Sequence, residues 1–138
     1  MKFERGGVIL HDGTIIELKN LVKDQIDYIE SLRYELEKKD LKIEDLYPDY
    51  TFMLDPEDFL KYKSLSICFW HTHIPDSCKA SKEDLLFFDN HEDYFKNFLI
   101  VGSDGIAIYT NVKYTGKINN ENYGYTYDCE IFSDKRSS

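Results

Sequence analysis

The stretch 64–88, SLSICFWHTHIPDSCKASKEDLLFF, decides the fold, and the rest of the chain is interpreted outward from it. Its first seven residues form a short apolar run bounded by polar residues, which predicts a buried β-strand. Residues 74–80 contain a proline followed by an aspartate and a serine, which predicts a loop. From Ser81 onward, leucine and phenylalanine recur at helical spacing. The stretch therefore predicts a strand, a loop and a helix in succession.

Two histidines stand at the C-terminal end of the predicted strand. His71 and His73 are two residues apart, and side chains at that spacing on a strand point to the same face. Asp84 falls in the first turn of the predicted helix and can face back toward them. Two imidazoles and a carboxylate suit Zn²⁺, and three protein ligands leave a fourth position for water, as in catalytic zinc sites. The pattern predicts one zinc ion per chain, held by these three residues.

Two purely structural interpretations of the same residues stay open. Ser81 and Asp84 stand at the positions of a helix capping box, in which their side chains would satisfy free N–H groups of the first turn. His71 and His73 can equally be polar residues at the rim of a sheet. The joint pattern is less expected by chance than either part alone.

The run 71–84 resembles the signature of the JAB/MPN metalloproteases, the JAMM family, in which His-x-His, ten residues and Asp follow an upstream glutamate. Glu4 supplies that glutamate in a Glu-x-x-Gly context, on the expected first strand. Residues 18–20 and 50–59 are similar to the short bacterial and phage members, including phage tail-assembly peptidases. The resemblance covers about residues 3–110. It implies an α/β protein with a cytidine-deaminase-like MPN fold, a mixed central sheet flanked by helices.

The same resemblance implies a zinc-dependent metallopeptidase or isopeptidase. Zn²⁺ on His71, His73 and Asp84 would activate a water molecule for hydrolysis of an amide bond. Glu4 would act as the general base, and the hydroxyl of Ser81 would donate to the oxyanion. The implied partner is a peptide or a ubiquitin-like protein as substrate, with phage tail assembly as one possible setting.

Two other functions are compatible with the fold that the resemblance implies. The first is a non-catalytic MPN scaffold that contributes to protein assembly. The five residues named above argue against it, since a scaffold has no physical need for all of them. The second is hydrolysis of a small amide or carbamate, which the width of the cleft would distinguish from peptide hydrolysis.

The chain departs from the family pattern in the loop and at its beginning. Relatives usually carry proline directly after the second histidine, whereas here Ile74 intervenes and Pro75 follows. Ala80 replaces the proline that is common before the serine. The loop is expected to differ in shape while the ligand spacing is kept. The chain begins three residues before Glu4, so the helix that precedes this strand in many relatives is expected to be missing.

An insertion at about 24–49 lengthens a connection that is often short in compact relatives. An apolar stripe between charged residues predicts an amphipathic helix; its positions are Ile26, Ile29, Leu32 or Arg33, Leu36 and Leu41. Packing against the core is the first expectation for it. A wall of the substrate cleft and a dimer surface are the alternatives.

Turn signals organise the rest of the chain into one expected domain, residues 1–138. Asp12-Gly13 and Ser103-Asp104-Gly105 each predict a hairpin between two strands. The alternating tyrosines and threonines of residues 111–132 predict a last strand, in the core or at an edge, and an aromatic binding face is the alternative. Residues 133–138 are expected to form a loose tail.

The composition restricts the possible partners and the compartment. The 138 residues carry 17 basic and 26 acidic side chains, a formal charge of −9, which argues against binding nucleic acid or an anionic membrane. No apolar run is long enough to span a membrane, and the first strand leaves no room for a signal peptide. Three widely spaced cysteines predict free thiols. We therefore expect a cytoplasmic protein.

Overall fold

The computed structural model describes residues 3–48, 52–73, 75–118 and 122–133. Within these ranges the strands, in chain order, are β1 (Gly6–Leu10), β2 (Ile15–Leu18), β3 (Ser66–Thr72), β4 (Asn97–Gly102), β5 (Gly105–Tyr114) and β6 (Tyr125–Ser133). The helices are α1 (Leu21–Ser31), α2 (Arg33–Lys38), α3 (Pro56–Tyr62) and α4 (Lys82–Asn90), with a short 3-10 helix at Ile43–Leu46.

The strands form one mixed sheet in the order β2-β1-β3-β4-β5-β6. Strands β3 and β4 run parallel, and the other neighbouring pairs are antiparallel. A parallel pair needs a crossover connection, and α4 provides it between β3 and β4. The predicted α/β class, with a mixed sheet flanked by helices, is therefore confirmed.

Helix α4 is fixed to the sheet by two side chains on one of its faces. Leu85 and Phe88 are fully buried, three residues apart, and so lie on the same side of the helix. The ring of Phe88 stacks on that of Phe98 in β4, with centroids 4.5 Å apart. Burial of each such side chain stabilises the fold by about 1.5–3 kcal/mol. This packing sets the position of the first turn of α4 above the sheet.

Both hairpins predicted from turn signals are confirmed. The side chain of Asp12 accepts a hydrogen bond from the N–H of Thr14, and Gly13 adopts a φ of +91° that other residues rarely adopt. Gly105 opens β5 at a φ of +145°. Gly7 is needed for lack of space rather than for its backbone conformation, because a Cβ there would collide with the carbonyl oxygen of Ile16 in the paired strand.

The insertion at 24–49 differs from the single amphipathic helix that we expected. Helix α1 begins earlier, at Leu21, because the side chain of Asn20 caps it by accepting from the N–H of Val22. At Leu32, with ψ at 7°, the backbone leaves the helical conformation, and α2 is a separate short helix. Asp40 then ends α2 in the left-handed region at φ +59°. The stripe is buried only in part: Ile26 is buried and Leu36 is half-buried, whereas Leu41 lies beyond α2 and is 44% exposed.

The last predicted strand is confirmed as an edge strand, β6, which pairs with β5 alone in the sheet order. Two expectations lie outside the described residues: the influence of Ile74 on the loop, and the loose tail beyond Ser133. In the part of the chain that the structure describes, no helix combines the length and the apolar character needed to cross a membrane.

Candidate metal centre

The central strand β3 and the residue after it present both histidines to one face of the sheet. His71 is 3% exposed and lies between β1 and β4, opposite Gly6 and Ile100. His73 follows the strand, but its N–H still donates to the carbonyl of Val101 at 2.8 Å, which continues the pairing with β4. The Nε2 atoms of the two imidazoles are 3.2 Å apart. The predicted convergence of the two side chains is therefore observed.

Asp84 closes the cluster from the first turn of α4. One carboxylate oxygen lies 2.9 Å from Nε2 of His71, and the other lies 2.9 Å from Nε2 of His73. The carboxylate also accepts from the N–H of Ser81 at 2.9 Å, while the hydroxyl of Ser81 accepts from the N–H of Asp84 at 3.1 Å. These two bonds form a capping box. The capping interpretation and the metal-site interpretation are thus compatible, because the cap holds the carboxylate in place.

Glu4 reaches the cluster from the segment that leads into β1. We expected it on the first strand, but β1 begins at Gly6, so Glu4 precedes the strand by two residues. Its Oε1 lies 4.0 Å from Nε2 of His71, and its side chain is largely buried. Its backbone carbonyl accepts from the side-chain amide of Asn20 at 2.9 Å. The N–H of the next residue, Arg5, donates to the hydroxyl of Thr72 in β3.

Asn20 is a positioning residue whose role could not be read from the sequence pattern. Its side chain accepts from the N–H of Val22 and of Met53 and donates to the carbonyl of Glu4. It therefore joins the start of α1, the segment before α3 and the segment that carries Glu4. The available signal was its position before an apolar-periodic helix, which is typical of an N-cap. That signal gives the contact to Val22 but not the other two.

The charges of His73 and Asp84 each favour the ionised form of the other residue. Burial by itself would lower the pKa of His73, but the hydrogen bond to Asp84 and its negative charge outweigh burial and raise that pKa to about 9. Burial also opposes ionisation of Asp84, yet hydrogen bonds from His71 and His73 hold the pKa of this carboxyl well below its usual range. These shifts favour an imidazolium–carboxylate pair between His73 and Asp84, and a metal ion bound by His73 would replace that proton.

The donor set fits a zinc ion in its spacing. Ligand atoms about 2.0–2.1 Å from a tetrahedral zinc lie about 3.3 Å from one another, close to the distances between the imidazole nitrogens and the carboxylate of Asp84. Glu4, His71 and His73 also offer ligand atoms that all lie within 4.8 Å of one another. Either carboxylate can thus be the third ligand, and Asp84 has the shorter contacts.

The surroundings of the two imidazoles differ. The Nδ1 of His73 is 2.9 Å from the carbonyl oxygen of Ser77, the kind of partner that orients metal-ligating histidines. The Nδ1 of His71 is buried, with no hydrogen-bond partner among the described residues. His73 therefore has the supporting contact expected of a ligand, and His71 is held by its packing in the strand.

The cluster lies at the base of an open cleft of about 410 Å³, a volume within the usual range of small-molecule and peptide sites. The five residues selected from the sequence line it: Glu4, His71, His73, Ser81 and Asp84. Lys79 contributes a basic side chain at the wall. The structure thus brings all five candidates together from three separate segments of the chain.

Comparison of the chain with protein-family models, with curated proteins and with solved structures finds no match. The likeness of residues 71–84 to the JAMM signature consequently stands as a likeness of motif. Function is argued below from that motif together with the geometry of the cleft.

Proposed function

We propose that the chain is a zinc-dependent metallopeptidase of the JAMM type with an MPN fold, which hydrolyses a peptide or isopeptide bond. The observation that carries the proposal is the convergence of His71, His73 and Asp84 at 2.9–3.2 Å, in a cleft that also holds Glu4 and Ser81. A structural capping box accounts for the contacts between Ser81 and Asp84. It does not account for two imidazoles aimed at one carboxylate beside a second acid.

Zn²⁺ bound by His71, His73 and Asp84 would lower the pKa of a coordinated water to about 7 and polarise the scissile carbonyl. Glu4, close to His71 and largely shielded from solvent, would take a proton from the water as the water oxygen attacks the carbonyl carbon. It would then give that proton to the amine nitrogen as the C–N bond breaks. These steps give a carboxylic acid and an amine and return Glu4 to its ionised form; at neutral pH the acid then loses its remaining proton to the amine or to solvent.

Ser81 supplies a hydrogen-bond donor for the carbonyl oxygen of the substrate. Ser81 lines the cleft, and its Oγ accepts from the N–H of Asp84, so its hydroxyl hydrogen remains available to donate to a substrate. As negative charge develops on the carbonyl oxygen, a donor held in this way stabilises the transition state by about 3 kcal/mol. The capping box therefore fixes both a metal ligand and an oxyanion donor.

The family resemblance supports a substrate that is a peptide or a ubiquitin-like protein, with phage tail assembly as one setting. The cleft opens to the surface, so a segment of a polypeptide can reach the cluster. The formal charge of −9 supports a protein or peptide partner over nucleic acid.

Metal content is the first test. Plasma mass spectrometry of the purified protein should find about one zinc ion per chain, and His71→Ala/His73→Ala should contain little. His11→Ala, at an exposed histidine in the β1–β2 turn, is the matched control and should keep its zinc. Absence of zinc from the wild type, even after zinc is supplied, would overturn the proposal.

The base assignment has a separate test. Glu4→Gln keeps the size and hydrogen-bonding capacity of the side chain but cannot accept the proton from water. We expect it to retain zinc and to lose at least about 100-fold in kcat on any peptide or ubiquitin-like substrate that the wild type cleaves. An unchanged kcat would exclude Glu4 as the base.

A non-catalytic assembly protein is the second candidate. The exposed edge strand β6 favours it, because Ile131 and Phe132 are 60% and 55% exposed there. Exposed apolar side chains on an unpaired strand edge are typical of surfaces that contact another protein. Zinc binding without hydrolysis of any tested amide, together with self-association that Phe132→Ser abolishes, would favour this function.

A further inference from the structure

A second cavity, of about 330 Å³, opens beside the metal cleft between α3 and α4. We call it the apolar side pocket; five apolar residues that line it, and do not line the metal cleft, are Met53, Leu54, Pro56, Phe59 and Leu86. Leu86 is 42% exposed although it is a leucine, and it turns toward this opening. An apolar concavity of this size accommodates one large side chain.

The apolar side pocket adjoins the metal cleft. Phe52, Glu83 and Phe87 line both cavities. The ring of Phe87 stands at this boundary, stacked on the ring of His91 at 4.0 Å and 4.8 Å from the ring of Phe69 in the sheet. A polypeptide that has an amide bond over the metal site can therefore place a neighbouring side chain in the pocket without leaving the surface.

The walls of the pocket are held in place before any ligand arrives. The rings of Phe59 and His91 meet edge to face, with centroids 5.3 Å apart. A ring nitrogen of His91 lies 2.8 Å from the carbonyl oxygen of Phe87, so the histidine is tied to α4. A preformed wall costs less ordering free energy on binding than a mobile one.

The charged residues near the apolar side pocket restrict which kind of substrate side chain can occupy it. Glu83 stands at the junction of the two cavities, and Glu4 and Asp84 lie in the metal cleft. An acidic side chain in the pocket would lie near Glu83, and a polar uncharged one would lose its hydration against carbon walls. A large apolar side chain meets neither cost and gains from burial.

We propose that the apolar side pocket is a specificity subsite that accepts a large apolar side chain, of the phenylalanine or leucine type, next to the scissile bond of a peptide substrate. The proposal rests on the metallopeptidase function proposed above and deepens it. Burial of a benzyl side chain should strengthen binding by about ten- to a hundred-fold over glycine at the same position.

Calorimetric titration of the zinc-loaded full chain with short peptide hydroxamates tests this subsite without turnover. The hydroxamate binds the metal, and two series extend the peptide on either side of it with phenylalanine, glycine or glutamate next to it. In the series whose side chain reaches the apolar side pocket, the phenylalanine peptide should bind at least about tenfold tighter than the glycine peptide. The glutamate peptide of that series should bind more weakly than the glycine peptide. Leu86→Asp should reduce the ratio of phenylalanine to glycine affinity to near one.

Leu60→Asp is the matched control, because Leu60 is a 62% exposed leucine on α3 that lines neither cavity. It should leave the ratio unchanged. Equal affinities for phenylalanine and glycine in both series, or a ratio that survives Leu86→Asp, would overturn the subsite while leaving the metal site standing. A chain that binds neither zinc nor any hydroxamate would overturn the proposed function and the subsite together.

Discussion

Ser81 and Asp84 each belong both to the N-terminal cap of α4 and to the candidate metal centre. The hydroxyl of Ser81 caps α4 and faces the cleft, and the carboxylate of Asp84 completes the cap and contacts both imidazoles. A substitution at either position therefore changes stability and chemistry at once. Experiments on these residues need a control that changes only one of the two.

Ser81→Ala should lower both stability and rate. Loss of the N-cap should cost about 1 kcal/mol in the free energy of unfolding. Loss of the oxyanion donor should reduce kcat by about 100- to 1,000-fold. Thermal unfolding and steady-state hydrolysis of a cleavable peptide measure the two effects, and Ser81→Thr should restore both in part.

Asp55→Ala is the control that separates loss of a helix cap from loss of the oxyanion donor in Ser81→Ala. Asp55 caps α3 by accepting from the N–H of Glu57 at 2.9 Å, forms an ion pair with Lys19 at 3.0 Å, and lines neither cavity. The variant should lose the cap, about 1 kcal/mol, together with a small contribution from the ion pair, and keep its kcat. If Ser81→Ala also kept its kcat, the serine would be a structural cap alone.

Glu92 is a partly buried acid whose burial opposes the ionisation of its carboxyl. Burial raises the pKa of its carboxyl above the ordinary value, hydrogen bonds from the backbone N–H groups of Val112 and Asn111 lower it in part, and the negative charges of Asp89 and Asp93 raise it by smaller amounts. Its Oε2 is buried without a hydrogen-bond partner among the described residues. Ionisation of Glu92 at neutral pH therefore costs stability.

Glu92→Gln should raise the melting temperature at pH 7. Because the pKa in the folded state is raised, wild type loses stability as the pH rises through that pKa, and the neutral amide does not. Below about pH 4, where the unfolded glutamate is also protonated, the gain should vanish. Glu130→Gln on β6 controls for the loss of one negative charge, and a gain independent of pH would contradict this explanation.

At the scale of secondary-structure elements, the site depends on how α4 is fixed against the sheet. The helix supplies Asp84 from its first turn, and its position is set by Leu85 and Phe88 further along the same face. Strand β3 supplies His71 from the centre of the sheet, where neighbours on both sides hold it. The distance between carboxylate and imidazoles is therefore a consequence of helix-on-sheet packing.

Phe88→Ala should destabilise the fold and loosen the site. Removal of this fully buried ring should cost about 3–5 kcal/mol, including the cavity that it leaves. Denaturant unfolding measures that cost, and zinc titration should show weaker binding because α4 no longer holds Asp84 firmly. Leu86→Ala, on the same helix but 42% exposed, should cost about 1 kcal/mol or less. Equal costs for the two would argue against the packing described.

At the scale of the whole molecule, the cleft joins segments that are far apart in the chain. Glu4 arrives because β1 lies beside β3, and Asn20 fastens its backbone from the start of α1. A metal that binds the folded chain and not the unfolded one links these segments energetically. Metal binding should therefore raise the free energy of unfolding of the whole chain.

Zinc should raise the melting temperature of the wild type. Zinc in 100-fold excess over its Kd should add about 2.7 kcal/mol to the free energy of unfolding. Scanning calorimetry with zinc, with a chelator and with Mg²⁺ measures it; Mg²⁺ should have little effect because it prefers oxygen ligands. His71→Ala/His73→Ala should show no zinc-dependent shift, and a shift of wild-type size in that variant would place the metal elsewhere.

The sequence by itself determined the local elements around the site. A short apolar run, a proline and a capping pair sufficed for the order of strand, loop and helix in 64–88, because each depends on neighbouring residues. The strand itself lies two residues later than predicted, at Ser66–Thr72. The break at Leu32 was missed, since an apolar stripe does not report where a helix ends. Tertiary structure alone decided that Glu4 meets His71 and that Asn20 bridges three segments. These contacts depend on strand order and on packing between distant residues, which no local pattern encodes.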